Sequence, residues 1–188
     1  RYSSSPESRM ESDLNKIKEC KNAYDFEDFI VRSIESVLTN DFWYITLPND
    51  LLVTSSANSP AGNVFFACQI KNKEKALFSE KYISDLFDPA IKVKKKSLER
   101  HHIFPANYLK KNKVYLEYVD NISISDEQPS IYIKEITNRY YKNREEELES
   151  ELKNHAIPVN FHELSYSDFL IKRRELLSEY IRLTFEKY

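Results

Sequence analysis

Apolar residues recur along most of this chain at three- and four-residue spacings, the period of a helix that buries one face. Pro6 to about Lys21 reads as a first helix, with Ser5 as its N-cap and Pro6 at the first helical position. A second begins near Asp25, where Phe26, Phe29, Ile30, Ile34 and Val37 line one apolar face. Phe42-Trp43-Tyr44-Ile45 and Leu51-Leu52-Val53 flank a predicted turn at Pro48-Asn49-Asp50. Ser59-Pro60 opens a helix carrying Val64, Phe65, Ala67, Cys68 and Ile70, an aromatic stripe that reads as core. Tyr82 to Leu86 forms a short helical piece ended by Asp88-Pro89.

Beyond Pro129 the helical period returns. One helix is predicted from Pro129 through Tyr141. Another runs over Arg144 to Asn154, with Asn143 as its cap and Glu145-Glu146-Glu147 at the positive end of its dipole, and Pro158 breaks it. Tyr166 to Tyr188 is the last, with Phe169, Leu170, Leu176, Leu177, Ile181 and Phe185 turned inward. Two strands are expected between these blocks, near Leu98 to Ile103 and Lys113 to Tyr118. The fold class that follows is mainly α: a helical domain with a small two-strand insert. Its predicted divisions are an N-terminal helical part over 1–86, an insert over 87–135, and C-terminal helices over 136–188 that pack on the rest.

Composition narrows the function. At 188 residues with 41% hydrophobic content the chain can bury a core. A single glycine excludes glycine-rich phosphate loops and dinucleotide fingerprints, which need several. Cys20 and Cys68 lie too far apart for a paired metal knuckle and read as buried free thiols in a reducing compartment. No apolar run has membrane-spanning length and no signal peptide is visible, so the expected location is the cytoplasm. The chain begins at Arg1 and reads as a fragment.

The net charge of −2 conceals an uneven distribution. Between Lys92 and Lys113 there are eight Lys or Arg against one acid, Glu99. Such a run is usually a solvated face. Here it surrounds Glu99-Arg100-His101-His102-Ile103-Phe104-Pro105, followed by Asn112 and Asn121, and so reads as a footprint for a polyanion.

Phosphodiester cleavage needs a base to deprotonate water, charge stabilisation on the pentavalent phosphorus, and help for the departing 3′ oxygen. A divalent metal can supply the last two. A neutral histidine suits the first, since its ordinary pKa lies near 7. Neighbouring residues of a strand point to opposite faces, so two adjacent histidines can take different tasks. His101 is assigned to the metal and His102 to the base. Asn121 is the second ligand, its amide oxygen suiting a hard cation such as Mg²⁺ or Mn²⁺ that keeps its waters. Asn112 is placed to orient the His102 ring. Arg100 and Lys94, Lys95 and Lys96 would grip substrate phosphate. A lone His-His pair is weak evidence, the plain alternative being a packed or capping histidine. His155 and His162 are isolated and read as structural.

Asp88-Pro89-Ala90-Ile91-Lys92, Leu98 to Pro105 and Tyr108-Leu109-Lys110 together resemble the HNH (ββα-metal) segment of the GmrSD-type restriction endonuclease family. The likeness extends to residues 1–8, to Leu52-Val53-Thr54-Ser55-Ser56 with Ser59-Pro60, to His155-Ala156-Ile157-Pro158, and to Phe169-Leu170 before Arg173-Arg174. Asn112-Lys113-Val114, Asn121, Ser125-Asp126 and Pro129-Ser130 are similar to the HNH domain of CRISPR effector nucleases as well. In those enzymes the residue before the base and the later asparagine bind metal, which implies the same for His101 and Asn121. The chain departs from the family in one place: nine residues separate His102 from Asn112, where a longer, glycine-containing loop is usual. The family's nucleotide-dependent amino-terminal half, related to ParB-like folds, is not among these residues. The resemblance implies that this is the carboxy-terminal nuclease half and that the other half is a partner.

The leading expectation is thus a metal-dependent HNH DNA endonuclease of a restriction or antiphage defence system, leaving a 5′ phosphate. The alternatives are a catalytically silent DNA-binding or interaction module of the same fold, and a helical adaptor docking on an acidic protein. DNA is the expected partner, a membrane is not, and self-association is left open.

Overall fold

In the computed structural model residues 6–53, 59–87, 98–104, 113–117 and 128–187 are described, the two strands by their backbone. Helix α1 spans Pro6–Glu19 and α2 Ala23–Glu35. Asn22 caps α2, its Oδ1 accepting from the Tyr24 and Asp25 amides at 2.8 and 3.0 Å. The predicted turn at Pro48 is instead part of a wide helix over Phe42–Leu51 with Pro48 inside it. There the Leu52 amide donates to the Leu47 carbonyl at 3.0 Å, a five-residue closure. A wide helix already departs from the i→i−4 ladder that proline disrupts, so the proline does not end it.

Helix α3, Pro60–Lys71, starts as the sequence predicts, with the Ser59 hydroxyl accepting from the Gly62 amide at 3.1 Å. Its buried residue is Gln69, while Val64 and Ala67 are exposed. Helix α4 is Ile83–Phe87. Strands β1, Leu98–His102, and β2, Lys113–Glu117, pair antiparallel, with His101 opposite Val114 and His102 opposite Lys113. Both lie within one residue of the predicted bounds; Tyr118 is outside the described residues. Helices α5, Pro129–Tyr140, α6, Glu145–Asn154, and α7, Tyr166–Lys187, complete a mainly helical chain.

Asn143 does not cap α6. It lies in the left-handed region at φ 61°, and Arg144 takes the N-cap position without a side-chain hydrogen bond. Asn tolerates that backbone better than most residues, and the turn uses this property rather than its capping oxygen. Helix α6 also ends before Pro158 can act. The Ile157 amide donates to the Leu152 carbonyl at 2.8 Å and the Ala156 amide to that of Lys153 at 2.9 Å, a Schellman closure with Ala156 at φ 52°. Helix α3 ends the same way at Lys73, φ 57°.

The chain divides into two compact units, Arg1–Trp43 and Tyr44–Tyr188. In the first, neither α1 nor α2 has a buried residue, and the predicted face of α2 is exposed at Phe26, Ile30, Ile34 and Val37. The second has an apolar core in which Phe104, Ile133, Leu152, Ile157, Phe161 and Phe169 are buried together with Leu77, Phe78, Ile103 and Tyr132. That core draws on all three predicted divisions of the chain. On α7 the inward residues are Phe169, Arg173, Ser178, Ile181 and Thr184, whereas Phe185 is exposed. Both cysteines are free and half-buried rather than buried. Among the described residues no helix is long and apolar enough to cross a membrane.

Candidate active site and a buried polar centre

The histidine strand is anchored where it leaves the ladder. Ile103 and Phe104, directly after His102, enter the core. The Phe104 ring lies 4.8 Å from that of Phe169 and 5.8 Å from that of Tyr166, between centroids. The Tyr132 hydroxyl donates to the Ile103 carbonyl at 2.8 Å. Burial holds the Tyr132 phenol well above its ordinary pKa, so it stays a donor at any ordinary pH. One backbone oxygen and two apolar side chains thus fix the end of β1 to α5 and α7.

The backbone of Arg100, His101 and His102 lies in β1. The side chains of these three, and all of Lys94, Lys95, Lys96, Asn112 and Asn121, lie outside the described residues. Among the described residues no three His, Cys, Asp or Glu side chains gather in a group that could hold a metal ion.

A second polar concentration was not visible in the sequence. His155, at the C-cap of α6, is buried, with Nε2 2.9 Å from the Lys75 carbonyl and Nδ1 3.4 Å from Gln69 Nε2. A carbonyl can only accept, so Nε2 carries the proton and Nδ1 accepts from the Gln69 amide. The ring is therefore neutral. Burial lowers its pKa to about 4, the Lys75 hydrogen bond opposing and the Arg173 charge assisting. Gln69 also donates to the Asn154 carbonyl at 3.3 Å.

Arg173 is buried beside the end of α6. Its Nη1 lies 3.4 Å from the Ala156 carbonyl and its guanidinium 6.0 Å from the centre of the Phe169 ring. Burial lowers its pKa to about 10, so it remains charged at neutral pH and complements the negative end of the α6 dipole. Two segments that carried the family resemblance, His155-Ala156 and Phe169 with Arg173, thus meet in space.

An open cleft of about 770 Å³ lies over this region, with Lys75, Tyr82, Tyr140, Arg144 and Glu151 in its walls. The Tyr141 hydroxyl and the Phe78 amide both donate to Glu151. Glu74 accepts from the Tyr180 hydroxyl and from Asn154 Nδ2, each at 2.9 Å. Burial raises the pKa of both carboxyls, their hydrogen bonds opposing. Asn72 donates to the Tyr180 hydroxyl at 3.1 Å and to Thr184 Oγ1 at 2.8 Å, tying α3 to α7. No local pattern could have revealed these groups, because apart from Tyr141 and Glu151 the partners lie more than 70 residues apart in the chain. His162 is half-buried in the short turn after α6, with Nε2 3.9 Å from Glu163. Comparison with protein-family models, with curated proteins and with solved structures finds no match to this chain.

Proposed function

We propose that the chain is a metal-dependent DNA endonuclease of the HNH type, acting in a restriction or antiphage defence system. The observation that carries this reading is the placement of His101-His102 at the end of a short antiparallel ladder, inside the most basic stretch of the sequence, with Ile103 and Phe104 anchored in the core directly behind them. A base that must meet a water molecule at a fixed distance gains from such an anchor, because small misplacements cost large factors in rate.

In this reading His102 takes the proton of the attacking water. Asn112 holds its ring, and Arg100 with Lys94, Lys95 and Lys96 grips the phosphates on either side. His101 and Asn121 hold one divalent ion. An imidazole nitrogen and an amide oxygen leave most positions of a six-coordinate ion to water, which suits Mg²⁺ or Mn²⁺. When bound, the ion supplies charge stabilisation at the phosphorane and the leaving oxygen. The nucleotide-dependent half implied by the family resemblance is the proposed partner, and the cytoplasm the proposed location.

Incubation of supercoiled plasmid with Mg²⁺ or Mn²⁺ tests the assignment. The wild-type chain should nick, and His102→Ala should lower the rate by about 10²-fold or more. Equal nicking by the two proteins removes His102 from the role of base.

One observation favours a second reading, a silent DNA-binding module. Nine residues separate His102 from Asn112, where the family it resembles usually carries a longer, glycine-containing loop. A working site should gain thermal stability with divalent ion according to occupancy. A chain that binds DNA but shows neither this gain nor nicking fits the second reading.

A further inference from the structure

The Arg1–Trp43 unit contains two amphipathic helices whose apolar residues are left open. On α1, Met10 and Leu14 are each 51% exposed and Ile17 37%. On α2, Phe26, Ile30 and Ile34 are exposed at 39–44%, and Val37, just past its end, at 45%. The two helices are joined by three residues, yet neither buries the other's apolar side chains. Units of about 40 residues rarely hold together without an added staple such as oligomerisation.

The charges of α1 say what fits. Met10, Leu14 and Ile17 follow the four- and three-residue spacing of a single stripe. Glu7, Glu11 and Lys18, spaced by four and seven, run along one edge of that stripe, and all three are exposed. If a second α1 is laid antiparallel on the first about a two-fold axis at Leu14, Leu14 meets its own counterpart and Met10 comes within one residue's rise of Ile17 of the second copy. Equal rise per residue keeps that register along the whole helix. The same two-fold brings identical edges together. Lys18 of the second copy then falls between Glu7 and Glu11, and the reciprocal contact forms at the other end. On this edge one register satisfies both apolar and charged positions, while on the opposite edge Asp13 lies near its own counterpart.

We propose that α1 is a self-association surface, pairing antiparallel with α1 of a second copy of this chain around Leu14, while the exposed face of α2 flanks the seam. The proposal is independent of the nuclease reading, since no residue of the histidine segment takes part.

Sedimentation equilibrium of the full 188-residue chain tests it. The wild type should be dimeric at concentrations on the order of 100 µM. Leu14→Asp, which sets two carboxylates against each other on the axis, should raise the dimer dissociation constant by roughly 30-fold or more. Lys18→Glu should raise it roughly tenfold, and so should Glu7→Lys with Glu11→Lys. All three changes together should restore it to within about threefold of the wild type. Circular dichroism on each variant shows that α1 remains helical, and the charge changes are all at exposed positions. A wild-type monomer at that concentration overturns the proposal. So does a dimer indifferent to Leu14→Asp, or a triple variant that stays as weak as its parents.

Discussion

The two units of this chain are written in the same hydrophobic code and treat it differently. In α1 and α2 the apolar stripe is regular and no residue is buried. In α5 to α7 the stripe is less regular, interrupted by Arg173, Ser178 and Thr184, yet those positions are buried along with Phe169 and Ile181. Periodicity states which face of a helix seeks cover. It does not state whether the chain itself supplies the cover, or whether a polar residue within the stripe has a partner waiting.

The largest effect that sharpens this contrast is a truncation in each unit. Phe169 is completely buried against Phe104 and Arg173, and Phe169→Ala should destabilise the second unit by about 3–5 kcal/mol in chemical denaturation. Ile30→Ala, 39% exposed on α2, should cost well under about 1 kcal/mol in dilute solution. Comparable losses from the two would show that α2 is covered by something after all.

Next comes the pH dependence of the buried centre. The folded-state pKa of His155, about 4, is below the unfolded value of 6.5, so the unfolded chain takes up its proton first. Its contribution is complete above the unfolded value and is lost as pH falls toward 4. Between about pH 7 and pH 5 this amounts to about 2 kcal/mol. Glu74 and Glu151 act in the opposite sense: with raised folded pKa values they favour the fold on the acid side and lose that contribution as pH rises. Thermal melts across that range should show falling stability on acidification in the wild type and a flatter profile in His155→Gln. Parallel profiles would deny His155 its neutral, buried role.

The smallest effect concerns the anchor of the histidine strand. Tyr132→Phe keeps the packing and removes the donor to the Ile103 carbonyl, with an expected cost of about 1–2 kcal/mol in denaturation. If the hairpin is held there for chemistry, nicking should fall by more than the loss of folded protein explains. A variant as stable as wild type would show that Phe104 and Ile103 suffice.

Local signals were legible in the sequence wherever they were self-contained. Ser59 before Pro60 gave the start of α3, and the run from Leu98 gave β1 to within a residue. Asn143 could be read two ways, as a cap or as a left-handed turn, and the choice depends on backbone geometry that composition does not carry. Phe185 continued the apolar period of α7, yet Thr184 is the residue that meets α3, through Asn72. The polar centre was illegible for a plainer reason. Gln69 and His155 are 86 residues apart, and only tertiary packing makes them partners. Of the histidine segment, the two strands were foreseen but not the register that sets His101 opposite Val114, and the roles of its side chains rest on chemistry and resemblance.

Gly62, the chain's single glycine, sits in the first turn of α3, and among the described residues the left-handed backbone positions fall to Lys73, Phe78, Asn143 and Ala156. Each carries a β-carbon into a conformation that resists one, a standing torsional load of about 1 kcal/mol or more for residues other than Asn. Loads of this kind sit in connectors and can be lifted one at a time. At the two exposed positions, Lys73 and Asn143, the chain therefore has headroom for greater heat tolerance that can be reached without altering its interior or the strand that holds the histidines.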